Sequence, residues 1–119
     1  MAIDCWFPIP TKTPNLRQHW GKTYQLRNKQ RYWIGYIMIL HKKNIPDLPC
    51  TITLTRTGPN LWDDDNSIYS LKYIREAIAE HLTKNYISGR ADGDPRLTWV
   101  YKQEKGKLGI KIQIFHHSE

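Results

Sequence analysis

Cysteine is scarce in this chain, with only Cys5 and Cys50 among its 119 residues. Two cysteines are too few for a disulfide scaffold or a cysteine-based zinc site, and we expect both to be small buried side chains without a catalytic role. The longest apolar run, residues 32–40, is far below the roughly 18 residues that a membrane span needs. The first residues show no basic lead followed by an apolar core. We therefore expect no secretory signal, no transmembrane helix and a cytoplasmic location.

Acidic residues are also in short supply. Eleven Asp and Glu stand against eighteen Lys and Arg, which gives a net charge of +7. Such an excess on a small protein favours an anionic partner, most often nucleic acid, and a merely basic surface is the alternative. The length leaves room for one domain, so we predict a single domain over residues 1–119.

Hydrophobic periodicity predicts an α+β domain with the element order β-α-β-α-β-β. Alternating apolar residues indicate strands at residues 3–9, 51–57, 97–102 and 110–114, and longer apolar stripes indicate helices at residues 28–43 and 65–84. We expect the last two strands to pair as a hairpin, and both helices to pack on one small mixed sheet. Pro8, Pro10 and Pro14 predict an extended loop that runs to about Trp20.

Three of the scarce acidic residues are adjacent: Asp63, Asp64 and Asp65. Like charges this close repel, and a divalent ion such as Mg²⁺ compensates them well because it prefers carboxylate oxygens. In an extended segment, residues two apart point the same way, so Asp63 and Asp65 can converge on one point. The alternative is a helix start in which Asp65 is the N-cap and Asp64 interacts with the helix dipole.

The loop before the last two strands carries a second acidic pair, Asp92 and Asp94. This loop could return to the start of the second helix and supply a third carboxylate, although a Gly-Asp turn is the alternative. Lys72 follows Asp65 by seven residues, or two helical turns, so it faces roughly the same side. It could stabilise the negative charge on a phosphate under attack, and the alternative is a solvated lysine paired with Glu76.

These motifs occur together in a known family, since residues 62–114 resemble the RusA family of Holliday junction resolvases, found typically in prophages and phages. In that family an Asp-x-Asp-Asn motif opens a helix, a lysine follows on the helix, and another Asp precedes a C-terminal hairpin. Here residues 63–66 match the first motif and Asp94 matches the later acid. Lys72 lies about one helical turn further along than the family's lysine. Gly93 separates Asp92 from Asp94, where the family often has adjacent acids.

The resemblance implies a Mg²⁺-dependent endonuclease that cuts four-way DNA junctions as a homodimer, in recombination and repair. Asp63, Asp65 and Asp94 would hold the metal, and Lys72 would steady the transition-state charge or orient the water. A four-way junction has near two-fold symmetry and needs two cuts, which suits a C2 dimer with one site per subunit.

Such an enzyme would recognise DNA mainly through its phosphates. The candidates for a phosphate-binding face are Arg17, Lys22, Arg27, Lys29 and Arg31, followed by Lys102, Lys105 and Lys107. Trp20 and Trp62 are candidates for stacking on an unpaired base, with core or interface packing as the alternative.

Two other functions are compatible with the sequence. One is a metal-dependent nuclease of another fold, such as the PD-(D/E)xK group, whose strand-borne acid-x-Lys signature has only a poorly placed counterpart at residues 103–105. The other is a basic DNA-binding or regulatory protein without catalytic activity. It predicts DNA binding that falls steeply with salt and does not depend on Mg²⁺.

Overall fold

The computed structural model describes residues 2–12, 20–83 and 91–117, with the side chains of residues 20–24 and 92 outside that description. Within these residues, three helices accompany a mixed four-stranded sheet, so the predicted α+β class is confirmed. The strands are β1 (Ala2–Phe7), β2 (Cys50–Gly58), β3 (Leu97–Lys105) and β4 (Gly109–His116), and the helices are α1 (Trp20–Leu40), α2 (Asp64–Ser70) and α3 (Lys72–Leu82). Short 3₁₀ turns lie at Lys42–Asn44 and Ala91–Gly93.

The sheet has the strand order β1-β4-β2-β3. β4 is antiparallel to both β1 and β2, whereas β3 is parallel to β2. The predicted hairpin is therefore wrong, because β2 lies between β3 and β4. The connection at residues 106–108 crosses the end of β2, a span of about 10 Å that three residues can cover. The backbone N–H of Gly106 donates to the Gly58 carbonyl (2.9 Å) and fixes this crossing.

One face of the sheet forms the core. On β2, Ile52 and Leu54 point inward and are fully buried, because residues two apart in a strand share a face. In register with them, β4 contributes Ile112 and Ile114. The helices cover this face with fully buried aliphatic side chains, namely Ile34 and Ile37 of α1 and Ile74 and Ile78 of α3. The strands thus form where apolar and polar residues alternate, and they pack on stripes at helical spacing.

The predicted second helix is two helices, so the expected order lacked one element. α2 ends and α3 begins on either side of Leu71, whose backbone lies at φ −96° and ψ 2°. The Ser70 hydroxyl donates to the Ser67 carbonyl (2.6 Å), and the Leu71 N–H donates to the Ile68 carbonyl three residues back (3.1 Å). Both bonds replace regular helical bonds, which explains the break at this position.

α1 begins at Trp20, eight residues before the predicted start at residue 28. The predicted extended loop after Pro8 is described only to residue 12, and residues 13–19 lie outside the description. Gln30 of α1 donates to the Pro10 carbonyl (2.7 Å) and ties the described part of this segment to the helix. Among the described residues, no helix has both the length and the apolar character needed to cross a membrane.

Candidate functional site

The acidic turn, which we define as Asp63, Asp64 and Asp65, lies after the carboxyl end of β2 and begins α2. All three side chains are exposed. Asp63 is the N-cap, rather than Asp65 as the capping alternative supposed, yet its carboxylate makes no capping hydrogen bond within the described helix. The helix start therefore does not occupy the Asp63 carboxylate, which is available to a ligand.

A cleft of about 200 Å³ lies beside the acidic turn, between α2 and the edge strand β3. Its walls are Asp64, Ser67 and Ile68 on α2 and Tyr101, Lys102 and Gln103 on β3. Asp64 and Lys102 thus contribute residues of opposite charge to its lining. A cation and an anion in one opening can bind a phosphate and a polar nucleophile together.

Lys72 is placed differently from the sequence-based expectation. It is the first residue of α3, so the helix break at Leu71 separates it from Asp65 and the argument from two continuous turns is wrong. The lysine is half-buried, and its Nζ atom lies 6.0 Å from the centre of the Tyr73 ring. The lysine that lines the cleft beside the acidic turn is Lys102.

Asp94 makes an ion pair with Arg96 just before β3. The Arg96 side chain donates through Nε to Oδ1 (3.0 Å) and through Nη2 to Oδ2 (2.7 Å), and the Arg96 backbone N–H also donates to Oδ1 (2.9 Å). Hydrogen bonds from the Arg96 side chain, followed by the one from its backbone, hold the pKa of the Asp94 carboxyl below its ordinary value. Both carboxylate oxygens of Asp94 therefore have a partner already.

Asp94 also lies at the opposite end of β3 from the cleft. Leu97, where β3 begins, and Gln103, which lines the cleft, are separated by six residues, or about 20 Å along a strand. Within the described part of the chain, no group of three His, Cys, Asp or Glu residues could hold a metal ion, and the Asp92 side chain lies outside that part. The predicted site of Asp63, Asp65 and Asp94 is thus not assembled here and stays a prediction.

The predicted phosphate-binding residues of α1 do not share one free face. Arg27 stacks 5.1 Å from the centre of the Tyr73 ring, and Arg31 pairs with Glu80 of α3 (2.8 Å). Lys29 lies two residues from each of them, about 200° around the helix, and is exposed on another side. Arg17 and the side chains of Lys22 and Trp20 lie outside the described residues. Lys105, the last residue of β3, and Lys107, on the crossing after it, are exposed.

Sequence reasoning did not identify Arg56 and Gln103, which contact the segment that leads into the acidic turn. Arg56 is 1% exposed and stacks on Trp62, with its guanidinium carbon 3.7 Å from the ring centre. The strand alternation carried a signal for it, since Arg56 continues the inward row of Ile52 and Leu54. An arginine at an inward position of a strand predicts a specific buried partner. Gln103 is that partner and pairs with Arg56 in register.

Both cysteines were expected to be small buried side chains, and this is confirmed for Cys50 but not for Cys5. Cys50 is buried and its thiol donates to the Asp47 carbonyl (3.2 Å), while Cys5 is half-buried. Burial, with a smaller contribution from Asp4, raises the pKa of the Cys5 thiol to about 11. Burial also raises the pKa of Cys50. A raised pKa disfavours the thiolate, which is the reactive form of a cysteine.

No protein-family model, curated protein or solved structure matches the chain significantly. The resemblance of residues 62–114 to the RusA family therefore stays a prediction from their motifs, and a function has to be argued from this geometry.

Proposed function

We propose that this protein is a Mg²⁺-dependent, structure-selective DNA endonuclease that resolves four-way junctions in the manner of the RusA family. The observation that carries the proposal is the acidic turn, whose exposed carboxylates lie beside a cleft that also holds Lys102. In a chain with a net charge of +7, three adjacent carboxylates are an exception that a bound divalent cation explains.

The residues of the acidic turn fit a magnesium ion. Mg²⁺ commonly keeps several waters and takes only one or two carboxylates together with substrate phosphates, so Asp63 and Asp65 suffice as protein ligands. Asp94 does not fit such a site in the described conformation, because Arg96 engages both of its oxygens. When bound, the metal ion would polarise the scissile phosphate and lower the pKa of a coordinated water.

The residues of the cleft would carry out the remaining work. The Lys102 ammonium would bind the phosphate and counter the negative charge that grows on it during attack. The Asp64 carboxylate, on the opposite wall, would accept a hydrogen bond from the attacking water and orient it. Lys72, at the start of α3, would add positive charge from outside the cleft.

The proposal includes a homodimer, because a four-way junction needs two symmetric cuts. α1 carries large apolar side chains that remain exposed, among them Tyr32 (75%) and Ile39 (75%). They lie on a different side of the helix from Arg31, which contacts α3. An exposed aromatic and aliphatic surface of this kind is typical of an interface. It supports a dimer in which a second copy of the chain packs on α1.

The proposal is tested by cleavage of a synthetic four-way junction. With Mg²⁺, the wild-type protein should cut the junction, and Asp65→Asn should lose about a hundredfold in rate, as removal of a key stabilising group does in other enzymes. Asp47→Asn, at an exposed aspartate of the loop before β2, is the matched control and should cut like the wild type. Equal activity of Asp65→Asn and wild type, or binding without cutting by either, would rule the proposal out.

A second candidate is a DNA-binding protein without catalytic activity. It is favoured by the engagement of Asp94 with Arg96 and by the absence, among the described residues, of a three-ligand metal group. It predicts junction binding that weakens steeply with salt and is the same with Mg²⁺, with EDTA and in Asp63→Asn. The two candidates therefore separate in one binding titration run with and without the metal.

A further inference from the structure

We infer that Arg56 and Gln103 are positioning residues that hold the acidic turn in place for metal binding. Together with Trp62 they form a partly buried assembly, here called the Trp62 clamp, on the peptide immediately before Asp63. The inference rests on the proposed function, because it assigns the clamp a role only if the acidic turn binds a metal ion.

Gln103 fixes the backbone of Trp62 at two points. Its Oε1 atom accepts a hydrogen bond from the Trp62 N–H (3.0 Å), and its Nε2 atom donates to the Trp62 carbonyl (2.8 Å). One side-chain amide thus pairs with both polar groups of a single residue, as a neighbouring strand would. Because Asp63 is the next residue, the position and direction of the chain entering the acidic turn are set by Gln103.

Arg56 holds both the glutamine and the segment before the acidic turn. It donates through Nε (3.2 Å) and Nη2 (3.1 Å) to Gln103 Oε1, and through Nη2 to the Asn60 carbonyl. Its guanidinium stacks on the Trp62 ring from below. The contacts of Arg56 thus reach both Asn60 and Trp62, the two ends of the 60–62 segment. Because Arg56 donates only to Oε1 of Gln103, they also fix the orientation of the Gln103 amide.

The cost of this arrangement argues for a role beyond packing. Arg56 follows Ile52 and Leu54 on the inward face of β2, a position that an aliphatic side chain would fill without desolvating a charge. Its described hydrogen bonds go to neutral acceptors, not to a carboxylate. Burial accordingly lowers the pKa of the guanidinium from its ordinary value. The retained charge lies against the segment that leads into the acidic turn.

The acidic turn needs such support because α2 cannot supply it. The helix has seven residues, lacks a capping bond from the Asp63 carboxylate and ends at the break at Leu71. A helix this short is marginal without tertiary contacts. Metal ligands, in turn, bind well only when the residues behind them fix their geometry. The clamp is the described feature that connects the acidic turn to the rigid sheet.

The inference is tested with Tb³⁺, a luminescent substitute for the metal ion that is excited through a nearby tryptophan such as Trp62. The variant Arg56→Met/Gln103→Leu removes both polar groups of the clamp together, which avoids leaving one of them buried and unpaired. Its Tb³⁺ affinity should fall by about tenfold or more, the usual effect of removing groups behind metal ligands. The control Gln113→Leu on β4 repeats the Gln→Leu part of this change away from the acidic turn and should bind Tb³⁺ like the wild type.

Circular dichroism and thermal unfolding are used to test whether the double variant folds. If it does not fold, Gln103→Asn replaces it, since this change keeps the amide but shortens its reach, and its Tb³⁺ affinity should also fall. Amide hydrogen exchange gives a second readout, in which the Trp62 N–H is protected in the wild type and exchanges faster in the variants.

The outcomes separate the two proposals. A folded clamp variant with wild-type Tb³⁺ affinity overturns the positioning role, while loss of binding in Asp65→Asn in the same assay leaves the metal site standing. A wild-type protein that does not bind Tb³⁺ overturns the proposed function, and the positioning role with it.

Discussion

The acidic segments before α2 and before β3 use aspartate side chains in opposite ways. In the acidic turn, the carboxylates are exposed, and that of Asp63 is not spent on capping. Asp94, before β3, is 13% exposed and bound at both oxygens by Arg96. The first segment offers ligands, and the second fixes the start of a strand. The difference comes from the neighbouring cation, which Asp94 has two residues away.

The largest expected effect comes from removing the exposed carboxylates of the acidic turn. Asp63→Asn/Asp65→Asn should lose at least about a hundredfold in the single-turnover rate of junction cleavage with Mg²⁺. Asp94→Asn should lose far less, because its carboxylate is paired with Arg96 and lies before the start of β3, whereas residues 101–103 further along β3 line the cleft. Equal losses in the two variants would contradict the difference between the acidic turn and Asp94. They would show that the three acids predicted from the sequence meet when DNA binds.

A smaller effect is expected from the cation beside the acidic turn. Lys102→Met should lower the cleavage rate by about tenfold, or about 1.4 kcal/mol of transition-state stabilisation, because Lys102 lines the cleft. Lys105→Met, on the same strand but outside the cleft lining, should change the rate little. A larger loss in Lys72→Met than in Lys102→Met would return the catalytic role to the lysine that the sequence predicted.

The smallest effect concerns stability, and it sharpens the role of Asp94. Its pKa is lowered in the folded protein, so the stability that it contributes is fully present above the unfolded-state pKa of about 3.9 and is lost as the pH falls through the folded-state value. The wild type should therefore lose unfolding free energy below about pH 4 that Asp94→Asn does not lose. Urea unfolding at a series of acidic pH values measures this, and identical profiles would contradict the paired state of Asp94.

The sequence was informative about elements and poor at relating them. Alternation identified β2 and β3 because each has an apolar inward face, for example Ile52 and Leu54. Alternation carries no information on which strand is the neighbour, so it predicts a hairpin of β3 and β4 and does not reveal that β2 lies between them. The helix break at Leu71 depends on the Ser70 hydroxyl bonding to Ser67, which an apolar stripe does not reveal.

For the candidate site, the sequence located the acidic turn but not what surrounds it. Adjacency alone singled out Asp63, Asp64 and Asp65. The approach of Lys102 and Gln103 depends on the parallel pairing of β3 with β2, which brings residues some 40 positions apart into one cleft. The pairing of Asp94 with Arg96 depends on how the two side chains are oriented in a turn, which the sequence pattern does not reveal. The inward position of Arg56 could have been predicted, since it follows from the same alternation that predicted β2.

The central claim, that a metal ion binds at the acidic turn and not at Asp94, is tested most directly by titrating the protein with paramagnetic Mn²⁺ and following backbone amide signals by NMR. The account predicts selective broadening of residues 62–66 and 101–103 at low Mn²⁺, while residues 94–97 stay sharp. Broadening centred on residues 94–97, or uniform broadening with no preferred position, would contradict it.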